Sequence, residues 1–230
     1  MTDAPMPRAE QLRRFGFEFD SIPSFGEHMD FWSHYQAVAN AAPPGSTLIE
    51  VGCFHGRGLV CLGLMAKEAN KGLKVFGVDN GTGMNPAHNT NPIVRANLKK
   101  SGLEGFVTLI EKDSVTAAKD FADDSCWWVF IDAGHLHPLV EADTLAWMPK
   151  VAKDGWLGYH DAIMYTVAET VIAMFGEPTF DADKDSGAGN VQYFDKWQDI
   201  FLVKKQEPHR LFSILSGTKM PNIRKDEWKP

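Results

Sequence analysis

Residues 47–58 read TLIEVGCFHGRG, and the reading of this stretch decides the fold. Thr47–Gly52 is a short β-rich run, followed by a turn carrying Gly52, Gly56 and Gly58 and then a helical pattern over Gly58–Asn70. Gly52 permits a tight turn directly off the strand, and the two later glycines let backbone approach a ligand closely. A helix N-terminus behind such a turn attracts a carboxylate or phosphate. In open α/β sheets, ligands bind outside the carboxyl ends of the strands, at the switch point. The stretch therefore reads as a strand-to-helix crossover and as a ligand cradle at once.

The alternation continues downstream. Leu73–Asp79 (LKVFGVD) predicts a second strand, and a Gly/Asn/Pro-rich loop over 80–92 leads into a helix over Ile93–Ser101. Phe106–Glu111 predicts a third strand, with its helix over Val115–Phe121. Trp127–Asp132 (WWVFID) is apolar at successive positions, as a central parallel strand buried on both faces should be. A helix over Leu139–Val151, a fifth strand over Trp156–His160 and a helix over Thr166–Phe175 follow. Val191–Phe194 and Ile200–Lys204 read as two further β pieces closing the sheet as an antiparallel hairpin. The expectation is a Rossmann-like, doubly wound α/β fold. Its seven-stranded sheet is mostly parallel, with helices on both faces and an antiparallel last strand.

Upstream, residues 26–41 (GEHMDFWSHYQAVANA) have apolar residues at helical spacing, and Pro43-Pro44-Gly45 stops them. A shorter helical stretch is expected around Ala9–Phe15. This gives residues 1–45 as an N-terminal arm with lid helices, 46–205 as the ligand-binding domain and 206–230 as a tail of little periodicity. There is no internal repeat and no dividing linker.

Composition narrows the function. The 230 residues carry a formal charge of −7. Nucleic-acid and anionic-membrane binding need clustered Lys and Arg, which the isolated pairs Lys99-Lys100 and Lys204-Lys205 do not supply. Cys53, Cys61 and Cys126 lack metal spacing and cannot all pair, so they read as buried free thiols. No apolar run approaches the ~20 residues of a membrane span. The N-terminus has no apolar signal core, so the cytoplasm is the expected compartment. The expected partner is a small-molecule acceptor; a homodimer through arm and tail stays open.

A glycine turn plus an acid at the end of the second strand, Asp79, placed to take both ribose hydroxyls, suits a nucleoside cofactor. Two details count against a dinucleotide. The glycines are spaced G-x3-G-x-G and not G-x-G-x-x-G. Glu50 also stands two residues before the first glycine, where a dinucleotide site is normally apolar.

With these residues in view, the chain resembles a family. LIEVGCFHGRG, VFGVDN, IEKDSV, VFIDAGHLH and LGYHD are similar to segments of class I S-adenosylmethionine-dependent methyltransferases. The similar group is the one related to macrolide-sugar and catechol O-methyltransferases, a cephalosporin hydroxylase-like methyltransferase domain family. The resemblance spans roughly residues 47–165. Asp132, His135, Asp143, Trp147, Gly155, His160 and Asp161 match its most specific segment, with Ala133 where the family has glycine. The resemblance implies that Glu50, Gly52, Phe54, Gly56 and Gly58 line the methionine part of S-adenosylmethionine. It implies Asp79 at the ribose, Asn80 among the cofactor-binding residues, Asp113 and Ser114 at the adenine edge, and Asp132 beside the cofactor. Asp113-Ser114 also suits a helix N-cap.

Asp132 and the pair His160-Asp161 fall at the ends of neighbouring strands, which lie about 4.8 Å apart, so their side chains can converge on one ion. The resembled O-methyltransferases hold a divalent ion there, usually Mg²⁺, and His160 is this chain's departure. Mg²⁺ prefers oxygen, whereas imidazole suits Mn, Fe, Co or Zn. Either a softer ion is expected, or His160 faces the substrate or supports the ligands from behind. His135 stands where related families place a catalytic Lys or His, and is expected as general base beside Asp132. Met29, Phe31, Trp32 and Tyr35 suit the acceptor pocket or plain core. The reading is a metal-dependent O-methyltransferase of a small hydroxylated molecule, a sugar or natural product. Alternatives are an NAD-dependent oxidoreductase, a metal-dependent hydroxylase on the same fold, and a non-catalytic cofactor-binding module.

Overall fold

Side chains on successive residues of a strand point to opposite faces of the sheet, and the core of this protein is divided on that rule. Leu48, Trp128 and Phe130 enter one apolar cluster. Their neighbours Ile49, Val51, Val129 and Ile131 enter a second on the other face. The computed structural model describes residues 22–23, 31–83, 87–161, 164–175, 200–205 and 213–216.

The elements come in the order α1 (Phe31–Ala41), β1 (Thr47–Val51), α2 (Arg57–Ala69), β2 (Lys74–Val78), α3 (Asn91–Lys100), β3 (Val107–Ile110). A short α4 (Ser114–Ala117), β4 (Cys126–Ile131), α5 (His137–Trp147), β5 (Val151–Tyr159), α6 (Tyr165–Phe175), β6 (Phe201–Lys204) and β7 (Ser213–Ser216) complete it. The sheet order is β3-β2-β1-β4-β5-β6-β7. The first five strands are parallel, β6 is antiparallel to β5, and β7 is antiparallel to β6. Order reverses between β1 and β4, so the mouth of the sheet lies above those two strands.

Helices α1, α2 and α3 cover one face through Tyr35, Val38, Leu59, Leu62, Val94 and Leu98. Helices α5 and α6 cover the other through Val140, Trp147, Val167 and Val171. The fold is the doubly wound Rossmann-like one that the strand-helix alternation predicts.

Two segments differ from expectation. The seventh strand is Ser213–Ser216, inside the stretch read as a tail, so the sheet extends beyond residue 205. Val191–Phe194, expected as a strand, lies outside the described residues, as do Ala9–Phe15. The fifth strand begins at Val151, five residues before its expected start, because the polar stretch 152–155 forms a bulge. There Asp154 adopts φ 62°, and it and Gly155 bond the backbone of Lys205. Cys53, Cys61 and Cys126 are buried thiols outside any disulfide, as expected. Among the described residues no helix is long and apolar enough to cross a membrane.

Candidate active site

Val51 leads into Gly52, whose φ of +88° turns the chain off the strand. A Cβ at Gly52 would lie 2.0 Å from the carbonyl oxygen of Asp132, so only glycine lets the turn after β1 press against the end of β4. Gly52 N–H donates to Val78 O, and Asp132 N–H donates to Val51 O. The glycine turn, β2 and the first candidate catalytic residue are thus one backbone assembly.

The loop then folds around Asp79. Asp79 Oδ2 accepts from the amides of Cys53 at 2.7 Å and Phe54 at 2.9 Å, while Oδ1 accepts from Gly81 at 2.6 Å. A carboxylate has about four acceptor sites, so the expected ribose acceptor already organises the two loops that would enclose a ribose. Phe54 occupies the left-handed region at φ 49° and stacks on His55 with ring centroids 3.8 Å apart. Holding a non-glycine residue there costs energy and needs such backing. Gly56 caps α2. Asn80 is exposed and accepts from Thr82 N–H and Oγ1–H.

Glu50, the penultimate residue of β1, is 2% exposed. Its Oε2 accepts from Tyr35 Oη of α1 at 3.0 Å. A Cβ at Gly58 would come within 2.7 Å of Oε1, so the carboxylate rests on the first turn of α2. Burial, and then the charge of Asp132, hold the Glu50 carboxyl well above the usual carboxylate range despite the Tyr35 hydrogen bond.

On the adenine side, Asp113 is the N-cap of α4, accepting from Thr116 N–H at 3.1 Å. Ser114 accepts from Trp147 Nε1–H at 2.9 Å and hydrogen-bonds the Asp143 carboxylate. Asp143 and Trp147, noted in the sequence only as motif matches, therefore pin the loop after β3. The helix-cap reading of Asp113 is realised, and its exposure leaves it open to a ligand edge.

The ends of β4 and β5 converge at the mouth of the sheet. Ligand atoms of Asp132, His135 and Asp161 all lie within 4.8 Å of one another, a grouping that can hold a metal ion. His135 Nε2 is 2.7 Å from Asp161 Oδ2. His160, expected as a ligand, is 7% exposed, and its Nδ1 lies 3.0 Å from both Asp132 Oδ1 and Asp161 Oδ2. Both imidazoles meet the acids: the half-buried His135 reaches Asp161, while the buried His160 bridges Asp132 and Asp161. The cause is Asp161, whose φ of 53° breaks the strand and turns its carboxylate toward its own neighbour.

The electrostatics follow from these distances. Burial opposes charge on His160, but the Asp132 carboxylate and the hydrogen bonds to both acids push its pKa up to about 11. The hydrogen bond to Asp161 raises His135 against its partial burial. Burial would raise Asp161, yet the two imidazoles hold it well below the usual carboxylate range. His34, fully buried beside Trp128 and Phe130, is lowered to about 3 by burial and by His160.

Tyr35, weighed in the sequence for the acceptor pocket, is fully buried with its hydroxyl on Glu50. Residue Met29 and the side chains of Phe31 and Trp32 lie outside the described residues. His137 bonds Thr170 and Glu169, joining α5 to α6. One sign of the Tyr35 contact was legible beforehand, a polar His34-Tyr35 pair within an otherwise apolar helix face.

A methyltransferase-domain family matches residues 49–162, about half of the chain. No curated protein matches the sequence. Among solved structures, a Corynebacterium glutamicum protein is 14% identical with a TM-score of 0.59, over 90% of this chain and 94% of that one. The O-methyltransferase of Bacillus cereus in complex with SAH is 13% identical with a TM-score of 0.54, over 77% and 84%. The apo TDP-rhamnose 3'-O-methyltransferase CalS11 of calicheamicin biosynthesis is 14% identical with a TM-score of 0.50, over 80% and 86%. At such identities these structures share the fold.

Proposed function

Because the chain belongs to the class I S-adenosylmethionine-dependent methyltransferases, we propose that it methylates a hydroxyl oxygen of a small molecule, with a divalent ion held by Asp132, His135 and Asp161. The observation that carries this reading is contact: the glycine turn proposed for the methyl donor abuts Asp132 of the metal-competent cluster. Donor and acceptor would then meet at one mouth. A sugar or similar polyhydroxylated natural product is the proposed acceptor class, in keeping with the sugar substrate in the name of CalS11.

The donor set fits an ion. Two carboxylate oxygens and one imidazole nitrogen suit Mn, Fe, Co or Zn better than Mg. A divalent ion bound there supplies Lewis acidity, lowering the pKa of a coordinated substrate hydroxyl. The chain's own groups do the rest. Asp132 and Asp161 supply negative charge, His160 holds both carboxylates in place through Nδ1, and the loop over 52–56 orients the methionine end. Asp79 fixes that loop and offers its remaining acceptor capacity to the ribose. Alignment and exclusion of water are the main demands of methyl transfer.

A second reading rests on the 2.7 Å approach of His135 Nε2 to Asp161. In it His135 is a general base oriented by Asp161, with Nδ1 left for the substrate hydroxyl, and no ion takes part.

The test is methyl transfer from labelled S-adenosylmethionine to a panel of hydroxylated metabolites, with chelator and with Mg²⁺, Mn²⁺, Fe²⁺ or Zn²⁺ restored. Loss under chelator and recovery with one ion supports the first reading; full turnover under chelator selects the second. If NAD raises the melting temperature and S-adenosylmethionine does not, both fail.

A further inference from the structure

Tyr35 has no part in the chemistry described so far, yet it is fully buried and spends its one hydroxyl on Glu50. The hydrogen bond joins α1, outside the 49–162 domain match, to the strand that carries the glycine turn. Its ring is held edge-on to Phe130 at 6.0 Å and tilted against His34 at 5.0 Å, so the hydroxyl has little freedom. Glu50 has two fixed neighbours: Tyr35 on Oε2, and the first turn of α2 at Gly58 on Oε1. A buried carboxyl without a donor is costly and would seek another rotamer.

We propose that Tyr35 is a positioning residue for the methyl donor: it locks Glu50 in the rotamer that presents the first strand's acid to the cofactor's amino-acid end. This rests on the reading of Glu50 as a cofactor-facing group. It makes α1 a structural part of the donor site and not a cover for the acceptor. The physical consequence is a loss confined to donor binding. Removing the hydroxyl frees Glu50 to rotate and takes nothing from the groups that meet the acceptor.

The experiment compares wild type, Tyr35→Phe, Glu50→Gln and the double variant by calorimetric titration with S-adenosylmethionine and by steady-state kinetics. Tyr35→Phe keeps the ring and its packing. The expected result is a five- to tenfold weaker Kd and higher KM for S-adenosylmethionine, roughly the loss of one ordinary hydrogen bond, with kcat within twofold. The double variant is expected to bind no more weakly than Glu50→Gln alone, since Tyr35 acts only through Glu50. An unchanged Kd in Tyr35→Phe, or losses that add in the double variant, overturns the inference while leaving the functional reading intact. A fall in melting temperature and kcat without a change in KM would mark Tyr35 as purely structural and also overturns it. Absence of S-adenosylmethionine binding by the wild-type chain overturns the functional reading itself.

Discussion

His135 and Asp161 stand on loops after different strands, yet His135 Nε2 lies 2.7 Å from Asp161 Oδ2. The approach is produced by the parallel pairing of β4 with β5, which sets Ile131 beside Tyr159 and so brings both strand ends to one level. Everything proposed for the chemistry passes through this meeting point, and it gives the first prediction. His135→Ala and Asp161→Asn should each lower methyl transfer by roughly 10²–10⁴-fold, the usual worth of a positioned acid-base group. Elemental analysis of purified protein should show Asp161→Asn losing its ion, and circular dichroism should show both variants folded.

The hydrogen bond to Asp161 raises the His135 pKa, so the metal-free imidazole should titrate above the ordinary value of 6.5. In Asp161→Asn the titration should move down toward that value. Ring-proton NMR across a pH series measures both; a His135 resonance that ignores the substitution would contradict the pairing.

Stability should peak near neutrality in the metal-free chain. His34 is lowered to about 3 in the fold, so its contribution is present above 6.5 and lost as pH falls toward 3. Asp161 is also lowered and acts in the same direction, its share disappearing in acid. His160 is raised to about 11, so its share is complete below 6.5 and lost as pH rises toward 11. The urea midpoint should therefore fall on both sides, and His160→Gln should flatten the alkaline limb and also soften the acid one, because His160 helps to lower both His34 and Asp161.

Asp79→Ala removes the acceptor for three backbone amides. The expected loss is about 2 kcal/mol or more of stability, together with at least a tenfold weaker affinity for S-adenosylmethionine by calorimetry. A variant that loses cofactor binding at unchanged stability would mean the carboxylate acts on the ligand and not on the loop.

Gly52→Ala would place a methyl group 2.0 Å from Asp132 O at a φ of +88°. We expect a loss of about 3 kcal/mol or more. Gly45→Ala is the control: its φ is +79°, but nothing lies within 4 Å of the added carbon. It should cost only about 1–2 kcal/mol of backbone strain.

The sequence alone determined the strand-helix alternation, the glycine turn after Val51, and the residues that end the fourth and fifth strands. These are local signals: periodicity, β-rich runs and turn residues act over a few positions and survive without tertiary context. The near-continuous apolar run of β4 announced its central place for the same reason. The sequence could not say that His135 and His160 both reach Asp161. On an extended strand His160 and Asp161 would point to opposite faces, and only the left-handed turn at Asp161 reverses that. Nor could it show that Asp79 holds the loop through three amides, or that Tyr35 reaches Glu50, because both depend on which surfaces meet when α1 and the loops pack on the sheet. Ser213–Ser216 gave no periodic signal either; a four-residue edge strand is defined by the neighbour it pairs with, and that neighbour exists only in the folded chain.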